Sequence, residues 1–280
     1  MAETVGDIQK MLVLVEHMMR NDTMTTTDAD ADKVLSYFAV RLQCGTQSVE
    51  HKEYIESLVS SLRHPYTTNC TAFVPRLPPP MDIFNDSYML LAARQGAFAA
   101  PRNNFYLDAG AGVGWFRNRN QFWVADTYKQ RGLKLDRAIY WEAKRSTGSF
   151  LVRGVPSEYF PAFTFYNVPV PADIGDGRNI LNVLTKLAKP EDFVSIKIDI
   201  DMPYTESDWI AAIIGEGPGR PNRSVYAQLI DELFWEEHFR FRPMQDCCWM
   251  GRVDRTAFLF DALRTFQKLR YLGVRSHGWQ

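Results

Sequence analysis

From about residue 104 onward, short apolar runs alternate with stretches of helical character, and this alternation limits the fold more than any other feature of the chain. The runs are 105–110 (FYLDAG), 137–143 (RAIYWEA), 163–170 (FTFYNVPV) and 192–201 (DFVSIKIDID). Helix-like stretches separate them at about 119–131 and 179–188, and TESDWIAAI and DRTAFLFDALRTFQKLRYLG follow the fourth run. A strand that is apolar on both sides of its pleat is buried on both faces. Such strands separated by helices predict an α/β, Rossmann-like fold over 101–280, a mostly parallel sheet with helices on both faces. The segment 225–239 (VYAQLIDELFWEEHF) fits a fifth strand or a helix, and the alternation favours the strand. The closing LRYLGVRSHGWQ reads as a helix leading into a further strand.

The first hundred residues read differently. Ile8, Leu12, Val15 and Met19 recur at three- and four-residue steps, which predicts an amphipathic helix. Further helices are expected over about 31–42, 49–62 and 84–95. Pro75 and the run Pro78, Pro79 and Pro80 cannot lie inside a helix or a central strand, so the segment near 75–80 is expected to be a linker. Residues 1–100 are therefore expected to form an α-helical N-terminal region, whose acidic face would offer a surface to a protein partner.

Composition narrows the function classes. In 280 residues, 46% are hydrophobic and 32 basic side chains stand against 33 acidic ones. An apolar content of that size argues against a disordered chain. No apolar run reaches the roughly 18–20 residues of a membrane-spanning helix, since Glu16 and His17 break the best candidate. The N-terminus lacks a cationic start and a long apolar stretch, so a cytoplasmic location is favoured over the secretory lumen. The balanced charge, with a pI near 6.5, gives no global footprint for nucleic acid. Charge is unevenly spread, however. Residues 102–153 hold 10 basic and 4 acidic side chains and residues 240–280 hold 8 and 3, so both stretches could hold an anionic ligand. Cys44, Cys70, Cys247 and Cys248 are too few for a disulfide scaffold and read as buried apolar side chains. N-x-S/T occurs at Asn21, Asn69, Asn85 and Asn222, each a glycan acceptor only in a secretory compartment.

The chemistry-bearing residues cluster after the first and fourth runs. Asp108 ends the first run, and Gly110, Gly112 and Gly114 follow at every second position. Glycines there let the backbone turn tightly and approach a nucleotide-like ligand. A dinucleotide fingerprint, G-x-G-x-x-G, would need glycine where Trp115 stands. The acid followed by G-x-G-x-G instead resembles motif I of class I S-adenosylmethionine-dependent methyltransferases. That resemblance implies S-adenosylmethionine as cofactor, with Asp108, Gly110, Gly112 and Gly114 holding its amino-acid end. Glu142, at the end of the second run, is placed to accept two hydrogen bonds from a ribose diol. Asn167 and Asp173, past the third run, are weaker candidates for the adenine.

In the fourth run Lys197, Asp199 and Asp201 alternate, so they are expected to share one face of the strand. Ionisable groups on a buried strand are costly unless paired or functional, and the lysine is expected to pair with an aspartate. This segment resembles the FkbM-type branch of the methyltransferases, although Met202 and Pro203 stand where that branch usually has glycine. IDELFWEEH resembles the acid-x-His end of the branch's fifth strand and points to Glu236 and His238. The resemblance covers about 100–280 and implies methylation of a hydroxyl on a sugar or small molecule, with Asp199, Asp201, Lys197 and His238 as catalytic candidates and no metal. It also implies a seventh, antiparallel strand, for which the sequence offers no clear segment. Two other readings stay open at this point. One takes Asp199 and Asp201 as the D-x-D of a nucleotide-sugar glycosyltransferase holding a divalent ion, and a metal-assisted methyltransferase using Asp201 with Glu236 or His238 lies between. The other is a non-catalytic Rossmann-like binding protein.

Overall fold

The computed structural model describes residues 31–58, 89–92, 103–112, 119–216, 224–240, 245, 249 and 251–279. The chain divides into two units at Ala93 and Arg94.

The described part of the first unit is a β-hairpin, and the helices expected over 31–42 and 49–62 give way to it. A single turn, α1 (Ala31–Val34), precedes β1 (Ser36–Cys44) and β2 (Gln47–Ile55), which pair antiparallel along their full length. The reason lies in a two-residue period that outcompetes the helical spacing. Phe38, Val40 and Leu42 alternate with Tyr37, Ala39 and Arg41, and Gly45 opens a two-residue loop at φ +62°. A glycine at the first loop position gives the chain reversal whose twist matches two paired strands. Arg41 and Glu50, paired in the register, meet at 3.3 Å, and the Tyr37 and Tyr54 rings pack edge to face at 5.9 Å. Asp32 accepts from Lys52 Nζ at 2.6 Å and from the Tyr54 hydroxyl at 2.7 Å, tying α1 to β2. The helix expected over 84–95 is described only at 89–92, which is neither helix nor strand. The helix near residues 8–19, the proline linker, the four N-x-S/T asparagines, Cys70, Cys247 and Cys248 lie outside the described residues. The partner surface expected on N-terminal helices thus has no helical face between 36 and 55.

The second unit carries the expected parallel sheet. Its elements are β3 (Asn104–Ala109), α2 (Arg119–Gln130), β4 (Arg137–Trp141), α3 (Gly148–Val152), β5 (Phe163–Tyr166), α4 (Ile180–Leu187), β6 (Phe193–Ile198), α5 (Pro203–Ile214), β7 (Glu232–Trp235), α6 (Leu259–Tyr271) and β8 (Arg275–Gly278). Six strands lie in the order β5-β4-β3-β6-β7-β8, and every neighbouring pair is parallel. Counted from β3, this is the doubly wound order 3-2-1-4-5-6. The ambiguous 225–239 segment resolves into turns followed by β7, and the closing segment into α6 and β8. Among the described residues no seventh, antiparallel strand occurs, and β8 pairs directly with β7.

Helices cover both faces of the sheet. All of β6 and β7 is buried, as is nearly all of β3. Tyr128 of α2 packs edge to face on Phe193 at 5.7 Å, and on the opposite face Phe266 of α6 lies 5.4 Å from Trp235. The face beneath α2 is unusually polar. The Tyr128 hydroxyl donates to Glu232 and accepts from the Ser195 hydroxyl at 2.9 Å, and Glu232 also meets His277 Nε2 at 2.9 Å. No helix among the described residues is long and apolar enough to cross a membrane.

Candidate functional site

The order of the sheet places a crevice between β3 and β6, from which the chain winds outward in opposite directions. Ligands of open α/β sheets bind at such a point, outside the carboxyl ends of the strands. A cavity of about 370 Å³ lies there, inside the roughly 300–1,000 Å³ range of small-molecule sites. Gly110 and Gly112 line it from the end of β3, Trp141, Glu142 and Ala143 from β4, and Pro169 and Val170 from beyond β5. The segment 199–202 after β6 closes the other side.

The glycines are there for a steric reason. Gly110 has φ +88°, and a β-carbon on it would sit 1.5 Å from the carbonyl oxygen of Asp199. The β3 turn and the start of the 199–202 segment can therefore meet only through bare backbone. Gly110 and Gly112 are tied to β4 as well: the Gly110 and Ala111 amides both donate to the Trp141 carbonyl, at 3.1 and 3.0 Å. Glu142 completes the tie, accepting from Gly112 N at 2.7 Å through Oε2 and from Lys144 N at 2.6 Å through Oε1. Among the described residues each oxygen accepts this one hydrogen bond, which leaves a lone pair for a ligand hydroxyl.

Behind this wall lies a buried ion cluster. The parallel register pairs Asp108 with Lys197, so their side chains share the face under α2. Lys197 Nζ lies 3.2 Å from Asp108 Oδ1 and 2.9 Å from Asp199 Oδ2, and it donates to the Gly110 carbonyl at 3.0 Å. Burial alone would lower the lysine, but the two carboxylates hold it above the ordinary ammonium range. Burial likewise pushes Asp108 up while Lys197 works against the rise. Burial alone would raise Asp199, which also accepts from Trp279 Nε1 at 3.2 Å, but Lys197 and a hydrogen bond from Glu236 hold it below the carboxylate range.

Asp201 leaves this face. Its φ of +57° turns it out of the alternation, toward Arg252 Nη1 at 2.5 Å and His238 Nε2 at 3.7 Å. Glu206, in the first turn of α5, fixes that turn by accepting from Ile200 N at 2.8 Å and Met202 N at 3.4 Å. Its other oxygen lies 3.6 Å from His238 Nδ1. Glu236 Oε2 lies 3.4 Å from His238 Nε2, while Glu236 Oε1 accepts from Trp249 Nε1 at 2.9 Å. Burial alone would lower His238, yet Asp201, Glu206 and Glu236 raise it to about 10. Burial and the Asp199 carboxylate push Glu236 well above the usual range, whereas His238 and Arg252 hold Asp201 below it.

No family model, curated protein or solved structure matches this chain. The site must therefore be read from its own chemistry.

Several residues singled out in the sequence meet here. Gly110, Gly112, Glu142, Asp199 and Asp201 line one cavity. Others stand behind it. Asp108 is 1% exposed and faces Lys197 rather than the cavity, and Lys197 supports the Gly110 backbone. His238 is buried behind Asp201. Asn167 is a staple for the segment after β4, donating to the Glu142 and Lys144 carbonyls at 2.8 and 2.7 Å and accepting from Ser146 N at 2.8 Å. Asp173 accepts from Gly175 N within its own turn. Gly114 lies outside the described residues. The basic surplus of 102–153 and 240–280 is not at the lining, which carries Glu142, Asp199 and Asp201 and no lysine or arginine among its described residues. Sequence reasoning missed Glu206, Trp249, Arg252 and Trp279. Glu206 had a readable signal, an acid in the first turn of a helix that starts with proline. The other three come from loops and the chain end, where spacing carries no information about partners.

Proposed function

We propose that the chain is an S-adenosylmethionine-dependent methyltransferase that methylates a hydroxyl of a sugar or other small-molecule acceptor. The observation that carries this reading is the lining of the cavity: three carboxylates, two glycines at positive φ and no cation among the described residues. Asp199 and Asp201 are compensated by Lys197 and Arg252, so the open negative charge of the lining is that of Glu142, which favours a sulfonium over a bare diphosphate. The backbone of the turn at Gly110 and Gly112, which lines the cavity, and the open lone pairs of Glu142 fit the amino-acid and ribose parts of such a cofactor. Bound there, the group would supply an electrophilic methyl on positively charged sulfur.

The remaining work falls to this chain's own side chains. Glu142 accepts from the ribose hydroxyls and keeps the glycine turn in place through Gly112. Asp108 acts through Lys197, whose ammonium fixes the Gly110 carbonyl and Asp199. Asp199 or Asp201, both at the lining, orients the acceptor hydroxyl and takes its proton. Both carboxylates are held at low pKa, which suffices because an oxygen gaining a methyl group becomes strongly acidic as the bond forms. Holding acceptor and methyl in line supplies much of the acceleration.

The nucleotide-sugar reading asks Asp199 and Asp201 to share a cation. Asp199 Oδ2 is engaged by Lys197 and Trp279, and Asp201 turns the other way, which weighs against it. Transfer of labelled methyl from S-adenosylmethionine to a panel of sugars and small hydroxylated compounds tests the proposal. We expect incorporation into at least one acceptor and a loss of about 10²–10⁴-fold in kcat for Asp201→Asn. Cofactor binding without transfer to any acceptor would favour the non-catalytic reading instead.

A further inference from the structure

Asp201, Glu236 and His238 bring two carboxylate oxygens and one imidazole nitrogen within 4.8 Å of one another. The contacts from His238 Nε2, 3.4 Å to Glu236 and 3.7 Å to Asp201, are too long for good hydrogen bonds. They match another geometry. Donors bound at about 2.1 Å to a tetrahedral ion lie roughly 3.4 Å apart. His238 is 2% exposed, and among the described residues neither of its ring nitrogens has a hydrogen-bond partner. A buried polar group left in that state is costly unless something else satisfies it.

The surroundings aim each donor at one point. Arg252 holds Asp201 Oδ2 and leaves Oδ1 facing the ring. Trp249 holds Glu236 Oε1 and leaves Oε2 facing it, and an ion bound there would displace the proton that Glu236 shares with Asp199. Glu206 stands on the far side of the imidazole, 3.6 Å from Nδ1, close enough that a small shift would let it accept from Nδ1–H and leave Nε2 to an ion. The same Glu206 holds the backbone on both sides of Asp201. Asp201 lines the cavity with a half-exposed side chain, so the remaining positions around an ion would open onto the ligand space.

We propose that Asp201, Glu236 and His238 bind one divalent transition-metal ion of the zinc, cobalt or manganese class at the edge of the cavity. One imidazole with two carboxylates suits these ions better than magnesium or calcium, which favour all-oxygen shells. The ion would hold an acceptor oxygen and increase its acidity. That role rests on the methyl-transfer reading, while binding of the ion does not.

The test is titration of chelator-treated full-length chain with Co²⁺, followed by visible absorption, and with Zn²⁺, followed by calorimetry. The expected result is one ion per chain at micromolar affinity or tighter, with cobalt bands of a nitrogen and oxygen site. Asp201→Asn and His238→Gln should weaken binding at least tenfold, and Glu206→Gln by about tenfold. Glu158→Gln, an exposed acid whose ion pair among the described residues is with Lys129, should bind as wild type does. Wild-type chain that binds neither ion, or Asp201→Asn binding as tightly as wild type, overturns the proposal. Asp201 is half exposed, so its variant is the decisive one should His238→Gln fail to fold. Titrating the same samples with S-adenosylmethionine separates the two ideas. Cofactor binding without metal sinks only the ion site, and metal binding without cofactor sinks only the methyl-transfer reading.

Discussion

Gly110 shows how much one residue can decide. Alanine there faces both a φ of +88° and the Asp199 carbonyl, which is backbone and cannot swing aside. Gly110→Ala is expected to destabilise the chain by about 3 kcal/mol or more, read as a lower urea midpoint, and to abolish binding in the cavity. Lys197 is the second such residue. Replacing it by methionine strands Asp108 as a buried, unpaired charge, and we expect a loss of about 3–5 kcal/mol. Adding Asp108→Asn should restore a large part of that loss, because the stranded charge goes with it. Equal and additive losses in this double-mutant cycle would contradict the pairing. These two cases differ in how readable they were. The glycine spacing after an apolar run announced a backbone approach, though not that Asp199 would be its partner. Asp108 was legible as an important acid but not as one facing inward. Its direction follows from the parallel register that sets it beside Lys197, and register is a tertiary fact.

At the scale of elements, the parallel strands were legible because burial on both faces writes continuous apolar runs, as in FVSIKI. The hairpin was not legible as such. Its apolar residues fit a helical spacing nearly as well as a two-residue one, and the loop at Gly45 was the signal that should have decided the matter. The polar seam joining α2, β6, β7 and β8 was also hidden, since its members are scattered from Tyr128 to His277. Glu232 is its hub and yields a pH prediction. Burial alone would raise this carboxyl, but His277, Arg275 and Tyr128 bring it below its usual 4.5. A lowered folded pKa means that the stabilisation is fully present above the unfolded value, and is lost as pH falls through the folded one. Glu232→Gln should therefore cost about 3 kcal/mol at neutral pH and flatten the acid limb of the stability profile below about pH 4.5. Thermal melts from pH 7 to pH 2 check both halves. An unchanged acid limb would mean that the seam does not titrate with folding.

For the whole molecule, the near-balance of 32 basic and 33 acidic side chains conceals an uneven placement. The second unit holds both basic stretches, yet its cavity is lined with carboxylates. That contrast helps to separate the candidate ligands. Glu142 could serve the ribose of either cofactor, and the doubly wound strand order is one that dinucleotide folds share. What speaks against a dinucleotide is the lack of a lysine or arginine among the described lining residues and Trp115 in place of the third fingerprint glycine. The most direct measurement is calorimetric titration of the full chain with S-adenosylmethionine and, in parallel, with NAD⁺. The account predicts saturable binding of S-adenosylmethionine, lost in Gly112→Arg, and no binding of NAD⁺. Binding of NAD⁺ without S-adenosylmethionine, or of neither, would contradict it.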